Sequence, residues 1–199
     1  MSKTALILAG GKSTRMGFDK TRLRFGDRRL IDVVIDHLRP NVDDLIVVSN
    51  HPEEWLDLVG VRIVTDAHPG QGPLGGIFSG LLASTSRHNI VVGCDMPFLN
   101  PLVLDYLWSL RNWGDVIVPL THSVLAPVCA VYDRGVLAVL AQALHAGERQ
   151  VMGVYPKLNV HYVREEELRP YDPDLHSLHN INTPADYEEG LKIWATRSH

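Results

Sequence analysis

Short apolar runs rich in β-branched residues alternate along this chain with longer amphipathic stretches. Residues 4–9, 45–49, 61–65, 90–94, 116–120 and 128–132 read as strands, with a weaker candidate at 159–163. Between them, residues 29–38 place Leu30, Val33, Val34, Ile35 and Leu38 largely on one side of a helix, and 76–86 do the same for Ile77, Leu81 and Leu82. Asn100-Pro101 joins a good N-cap residue to the residue best tolerated at the first helical position, which predicts a helix from Pro101 through Leu110. Thr183-Pro184 repeats that signal before a last helix, expected to run to about residue 195. Strand and helix in this order predict an α/β fold on a mostly parallel sheet. Neither a repeat nor a linker divides the chain. Residues 169–182 form a long loop with little periodicity, and such loops in compact domains are more often functional than idle.

Composition narrows the picture. A chain of 199 residues, 45% hydrophobic, is expected to form one domain, residues 1–199, whose core needs no covalent staples. Two cysteines, Cys94 and Cys129, are too few for a disulfide framework, and a reducing, cytoplasmic setting is expected. No apolar run approaches the roughly 18 residues of a membrane span. The formal net charge of −4 argues against a nucleic-acid binder built on bulk charge. That average hides an asymmetry, because residues 1–29 hold eight Lys and Arg against two Asp. Either an anion site or a solvated basic edge accounts for such a head.

The strongest candidate chemistry lies in that head. Residues 6–20 run from a buried strand into a loop that is both glycine-rich and basic, with Gly10, Gly11, Lys12, Arg15, Gly17 and Lys20. Glycines let backbone N–H groups converge on a phosphate, and Arg15 and Lys20 supply full charges around it. The end of the loop imitates a nucleotide-binding P-loop, but that pattern needs a glycine where Leu6 stands inside the strand.

Leu8-Ala9-Gly10-Gly11, Arg15-Met16-Gly17 and Asp19-Lys20 resemble the signature of nucleotidyltransferases that couple a nucleoside triphosphate to a phosphorylated acceptor. Four later segments extend the resemblance over nearly the whole chain: Gly72-Pro73-Leu74-Gly75-Gly76, Cys94-Asp95-Met96-Pro97, Ala146-Gly147-Glu148-Arg149 and Asn180-Ile181-Asn182-Thr183-Pro184. The last two favour the molybdenum cofactor guanylyltransferases. The resemblance implies a single-domain, Rossmann-like three-layer α/β sandwich of the nucleotide-diphospho-sugar transferase type. It also implies transfer of GMP from GTP to the terminal phosphate of molybdopterin, with Mg2+ as cofactor and cofactor-insertion proteins as further partners. One departure is visible: members of this family often carry His just before a Pro-x-x-Ala segment, and this chain has Ala126-Pro127-Val128-Cys129-Ala130.

Site residues follow from both sources. Asp95 stands just after a predicted strand, where open α/β sheets place their ligand crevice, and a carboxylate there suits Mg2+. Lys20 and Arg15, with the backbone of Gly10 to Lys12, are expected to bind the triphosphate. The resemblance assigns guanine and ribose to Leu8, Ala9, Gly10 and the loop from Asp66 through Gly76, with Asp66 and Gly75 among its contacts, and a nucleotide contact to Asn50. Arg149 is expected at the acceptor phosphate or pterin. Asn180 and Asn182 belong either to the metal and phosphate shell or to the start of the last helix. A cytidylyltransferase on the same pterin, a sugar-phosphate nucleotidyltransferase and a non-catalytic nucleotide carrier remain alternatives. His176 and His179 lack the partners of a zinc site, Cys94 reads as a small hydrophobe, and Glu165 to Glu167 read as a solvated helix face.

Overall fold

The computed structural model describes residues 2–10 and 23–197. Among these, the strands form an eight-stranded sheet and a two-stranded ribbon. In chain order the elements are β1 (Thr4–Leu8), the ribbon strands β2 (Arg24–Phe25) and β3 (Arg28–Arg29), α1 (Leu30–Leu38), β4 (Asp44–Ser49), β5 (Arg62–Thr65), α2 (Gly72–Ala83) and β6 (His88–Gly93). They continue with α3 (Pro101–Ser109), β7 (Val116–Thr121), β8 (Val124–Leu125), β9 (Cys129–Asp133), α4 (Leu137–His145), β10 (Val160–Arg164), the single turn α5 (Glu165–Leu168) and α6 (Pro184–Arg197). The sheet order is β10-β7-β9-β6-β1-β4-β5, with β8 paired to β7. β1 lies parallel to both β4 and β6, β4 to β5, and β7 to β10, while β9 enters antiparallel between β6 and β7.

The period-two alternation of the central strands builds two cores. Ala5 and Ile7 of β1 face a layer containing Ile31, Val34 and Ile35 of α1 and Val103, Leu104 and Leu107 of α3. Leu6 and Leu8 face the opposite layer, with Leu74, Ile77 and Leu81 of α2 and Leu140, Ala143 and Leu144 of α4. The result is the expected helix–sheet–helix sandwich. A third cluster of Phe25, Leu30, Phe98 and Ile181 receives Tyr187 and Trp194 of α6, with Phe25 5.5 Å from Phe98, 5.6 Å from Tyr187 and 5.5 Å from Trp194 between ring centroids. The last helix is thereby fastened to the segment that follows β6.

α2 begins at Gly72, four residues before the start expected from periodicity. Pro73 sits in its first turn, and small residues down one side let the helix approach the sheet. A Cβ on Gly80 would stand 2.9 Å from Leu6 Cδ1 and 3.2 Å from Val48 Cγ2, and one on Gly76 would stand 3.3 Å from Leu8 Cδ2. Glycines that look like a loop in sequence are here the condition for close helix–sheet packing. β6 in turn begins at His88 rather than Ile90, because the two polar residues at its start are buried with partners. His88 Nε2 lies 3.5 Å from Asp133 Oδ2, and the Asn89 side chain pairs with Ser84 and with the carbonyl of Ser86. α4 arises from the apolar run after Val136. No helix among the described residues is long and apolar enough to cross a membrane.

Candidate active site

The strands β5, β4, β1 and β6 run parallel, and the chain moves outward from β1 through β4 to β5 before crossing back to β6. Open α/β sheets bind ligands at such a reversal, beyond the carboxyl ends of the strands. Ala9-Gly10, Asn50, Asp66 and Asp95 all leave the sheet at this edge. The ladder continues one step past the strands, since Ala9 N–H donates to Val48 O (2.8 Å) and Cys94 N–H to Leu8 O (3.1 Å). Four of the expected site segments are thus joined by the sheet itself.

Asn50 lies against Gly10. A Cβ on Gly10 would stand 3.4 Å from Asn50 Nδ2, at ordinary van der Waals contact with the amide. The turn after β4 is held by Ser49, whose Oγ accepts from the His51 N–H (3.0 Å) and from Trp55 Nε1 (3.0 Å). Among the described residues, the buried Asn50 Oδ1 has no hydrogen-bond partner. A buried carbonyl-type oxygen in that state is an acceptor awaiting a donor.

Asp66 has a different occupation. It is 7% exposed, and its Oδ1 accepts from the His68 N–H (2.9 Å) and from Ser79 Oγ (2.8 Å). Ser79 Oγ also accepts from the Ala67 N–H (2.9 Å) and lies 2.9 Å from Gly75 O. This oxygen therefore shapes the loop that precedes α2. The same loop claims Gly75, where a Cβ would stand 2.8 Å from His68 O and 3.1 Å from His68 Cβ. Gly70 and Gly72 adopt φ of +80° and +64°, a region that L side chains rarely enter.

Arg149 reaches this loop from the other side. A Cβ on Gly72 would stand 3.2 Å from Arg149 O, and the Arg149 side chain is exposed. Its neighbour Glu148 accepts from the Arg149 and Gln150 N–H groups, both at 2.8 Å, and packs over Gly153. Those two backbone bonds hold the Glu148 carboxyl below its ordinary range. Of the four-residue motif, Glu148 organises the turn and Arg149 faces outward.

Asp95 meets Asn180 and Asn182 through the backbone. The Ile181 N–H donates to Asp95 O (2.9 Å), which sets the asparagines on either side of that bond. The Asp95 carboxylate lies where a side chain on Gly93 would have to go. Asn180 Oδ1 is buried without a hydrogen-bond partner among the described residues. The Asn182 and Thr183 N–H groups donate to Asp186 Oδ2 at 2.9 and 2.8 Å, while the Asp186 N–H donates back to Thr183 Oγ1 at 3.1 Å. This reciprocal cap starts α6 and fixes the approach of residues 180–182 to Asp95.

Burial alone would raise the Asp186 pKa, but the donors from Asn182 and Thr183 outweigh it and leave the carboxyl below its ordinary 3.8. The stabilisation it gives is complete above that value and is lost as pH falls through the lower folded-state pKa. Asp186→Ala is expected to cost about 1 kcal/mol at neutral pH. Thermal unfolding of the two proteins checks it, and the difference should shrink below pH 3.8.

Several expected residues fall elsewhere. Gly11, Lys12, Arg15 and Lys20 lie outside the described residues. His176 and His179 both face the Phe98 ring, at 6.3 and 6.0 Å between centroids. The Cys129 thiol is fully buried and pushed up to about 12 by that burial, so it is a core side chain rather than a nucleophile. Cys94 is partly buried against the core of α1 and α3. Glu165 and Glu167 are half-buried rather than solvated, with Glu167 Oε1 accepting from Tyr106 Oη (3.0 Å). One feature had no sequence prediction: the bond between Ile181 and Asp95.

Comparison with known proteins gives a consistent result. Residues 5–161 match the family model described as a MobA-like NTP transferase domain. The chain is 37% identical over 188 residues to the molybdenum cofactor guanylyltransferase of Desulfosudis oleivorans, covering 94% of this chain and 93% of that protein. It is 31% identical over 195 residues to the probable molybdenum cofactor guanylyltransferase of Clostridium perfringens strain 13, covering 96% and 98%. The crystal structure of molybdopterin-guanine dinucleotide biosynthesis protein A from Archaeoglobus fulgidus superposes with a TM-score of 0.87 at 28% identity, over 97% of this chain and 99% of that one.

Proposed function

This chain belongs to the MobA-like NTP transferase family and is a nucleotidyltransferase, and we propose that it transfers GMP from GTP to the terminal phosphate of molybdopterin. An oxygen of that phosphate attacks the α-phosphorus of GTP. The new P–O bond forms as the bond to the β-phosphate oxygen breaks, and pyrophosphate leaves. The acceptor is already an anionic oxygen nucleophile, so no residue of the protein has to become one. What the chain must do is align two mutually repelling phosphates and offset the charge that develops on the leaving group.

One observation carries the reading: the Ile181–Asp95 bond brings residues 180–182 to the strand end at the sheet's reversal point, opposite Ala9-Gly10 and Asn50. That arrangement divides one edge into two parts. Leu8, Ala9, Gly10, Asn50, Asp66 and Gly75 form the nucleoside side, Asp66 and Gly75 through the loop they shape. Arg15, Lys20 and the backbone of Gly10 to Lys12 bind the triphosphate. Arg149, Asn180 and Asn182 receive the acceptor. Residues 162–197, beyond the matched family region, belong to the same catalytic unit, since they supply the asparagines and the α6 anchor.

The donor set at this edge suits a hard cation. Asp95 offers a carboxylate, and the buried, unpartnered Asn180 Oδ1 offers a neutral oxygen on the segment bonded to it. Mg2+ takes one or two carboxylates and completes its shell with waters and phosphate oxygens. Asp95 would hold it, with Asn180 and Asn182 in support. When bound, the ion neutralises charge between phosphate oxygens. The reaction belongs in the cytoplasm, in keeping with two cysteines that form no disulfide, and its product passes to proteins that insert the cofactor.

Pyrophosphate release with molybdopterin present, compared between GTP and CTP, tests the assignment. Release with GTP alone is the expected result. Equal or faster release with CTP would move the chain to the cytidylyl branch, and GTP binding without release would make it a carrier.

A further inference from the structure

Tyr132 on β9 and Tyr155 in the 3₁₀ helix Val151–Lys157 meet hydroxyl to hydroxyl in the core shared with α2 and α4. Tyr132 Oη donates to Pro127 O (2.8 Å) and lies 3.1 Å from Tyr155 Oη. A hydroxyl has one proton, and that of Tyr132 is committed to the carbonyl, so Tyr155 donates to Tyr132. The bonds run one way, from Tyr155 through Tyr132 to Pro127. None of the three residues has a role in the transfer proposed above. We propose that the two hydroxyls form a positioning relay, which locks the turn carrying Arg149 to the segment that enters β9 and so fixes the acceptor side of the crevice. The proposal rests on the guanylyl-transfer reading, because it takes Arg149 as an acceptor contact, and it makes Tyr132 and Tyr155 positioning residues rather than catalytic ones.

Each end of the relay leads to the site. At one end, Glu148 accepts from the Arg149 and Gln150 N–H groups, and the Gly153 N–H donates to Gln150 O (3.0 Å), so the turn is closed on itself just before Tyr155. Val151, Val154 and Tyr155 then sink into the core beside Leu140, Ala143 and Leu144 of α4. The exposed Arg149 thus stands on a base whose position depends on where Tyr155 is held. At the other end, Pro127 lies two residues before Cys129, which pairs with Val92 of β6, three residues before Asp95. Ala126 stands where the family often carries His, and its methyl group makes no hydrogen bond. Its N–H donates to Pro119 O (3.1 Å), and the Cys129 N–H donates to Ala126 O (2.9 Å). To these backbone ties the Tyr132 hydroxyl adds a side-chain bond, and one that leads on to the Arg149 turn.

The relay transmits position because it is dry and close-packed. Tyr132 is fully buried and Tyr155 is 5% exposed. Burial pushes the Tyr155 hydroxyl up to about 12 and holds that of Tyr132 well above its ordinary value, so both keep their protons at neutral pH. Removing the Tyr132 hydroxyl leaves Tyr155 with a polar group in the core and no acceptor for it, a loss that water is poorly placed to make good. Phenylalanine at either position keeps the ring that packs against its neighbours and removes only the link.

Tyr132→Phe and Tyr155→Phe test it, at temperatures where thermal unfolding shows each chain folded. Each is expected to lower kcat/KM for molybdopterin by about tenfold, while the affinity for fluorescent N-methylanthraniloyl GTP stays within about twofold of wild type. The double variant should lose no more than Tyr132→Phe does, because either change opens the same relay. Tyr132→Phe should also speed amide hydrogen exchange in residues 126–129 and 150–158 together. A purely structural pair would lower the melting temperature and leave kcat/KM for molybdopterin within about twofold of wild type, and that result would overturn the proposal. Equal losses for GTP and molybdopterin, or losses that add in the double variant, would overturn it as well. Should Tyr132→Phe fail to fold, Tyr155→Phe decides on the same kinetic criteria and on exchange in residues 150–158, since it leaves Pro127 O with its donor. GTP-dependent pyrophosphate release by the wild-type chain, run in parallel, tests guanylyl transfer itself. Exchange is read without turnover, so failure of the transfer reading shows in the wild type and failure of the relay shows in unchanged exchange of the folded variants.

Discussion

Asp95→Ala is expected to lower GTP-dependent pyrophosphate release by about 10²- to 10³-fold while the chain stays folded, the loss typical of removing one group that stabilises developing charge. The two halves of that expectation have separate grounds. Asp95 is partly buried, and as a charged side chain it adds no apolar area to the three clusters that form the core. Its structural bond to Ile181 runs through the backbone carbonyl, which alanine keeps. What alanine removes is the only carboxylate among the residues assigned to the phosphate end of the crevice. Asp95→Asn sharpens the test because it preserves shape and removes charge. Thermal unfolding and pyrophosphate release measured on the same preparations separate folding from chemistry, and near-normal turnover in either variant would refute the role given to Asp95.

The strands were legible because burial on both faces leaves an almost uninterrupted apolar run, as in β1, where all five residues are buried. Legibility ended where polar residues were buried with partners, which is why His88 and Asn89 hid the start of β6. It also ended where glycine served packing rather than a turn, as at Gly76 and Gly80, whose absent side chains let α2 lie on Leu6, Leu8 and Val48. The antiparallel insertion of β9 left no trace in periodicity, because an apolar strand reads the same in either direction. In the site, Asp95 was visible as an acidic residue at a strand end. Its link to Ile181 was not, because a backbone bond spanning 86 positions has no side-chain signature. Asp66 and Gly75 stood out in sequence only as a strand-end acid and a loop glycine, whereas their contacts with Ser79 and His68, which shape the loop before α2, have no sequence signal.

Lys20→Ala is expected to reduce GTP-dependent turnover by a similar 10²- to 10³-fold. Lys20 lies outside the described residues, and the expectation rests on its place in the basic, glycine-rich stretch of the sequence. Of the eight basic residues in the first 29, Lys3 pairs with Asp105 at 2.6 Å, Arg28 with Asp36, and Arg29 with Asp32 at 2.8 Å and Asp57 at 2.9 Å. Arg24 donates to Asp27 O at 2.8 Å within the ribbon turn. Those cations serve the framework. The other four, Lys12, Arg15, Lys20 and Arg22, lie outside the described residues. A cation that meets the leaving pyrophosphate acts more strongly in the transition state than in the bound substrate, so Lys20→Ala should lower kcat as well as raise the KM for GTP. Lys20→Arg keeps the charge and should recover part of the loss. If Lys20→Ala raised only KM, the lysine would bind GTP without helping pyrophosphate leave, and the stabilisation of the leaving group would fall to Arg15 and the metal proposed at Asp95.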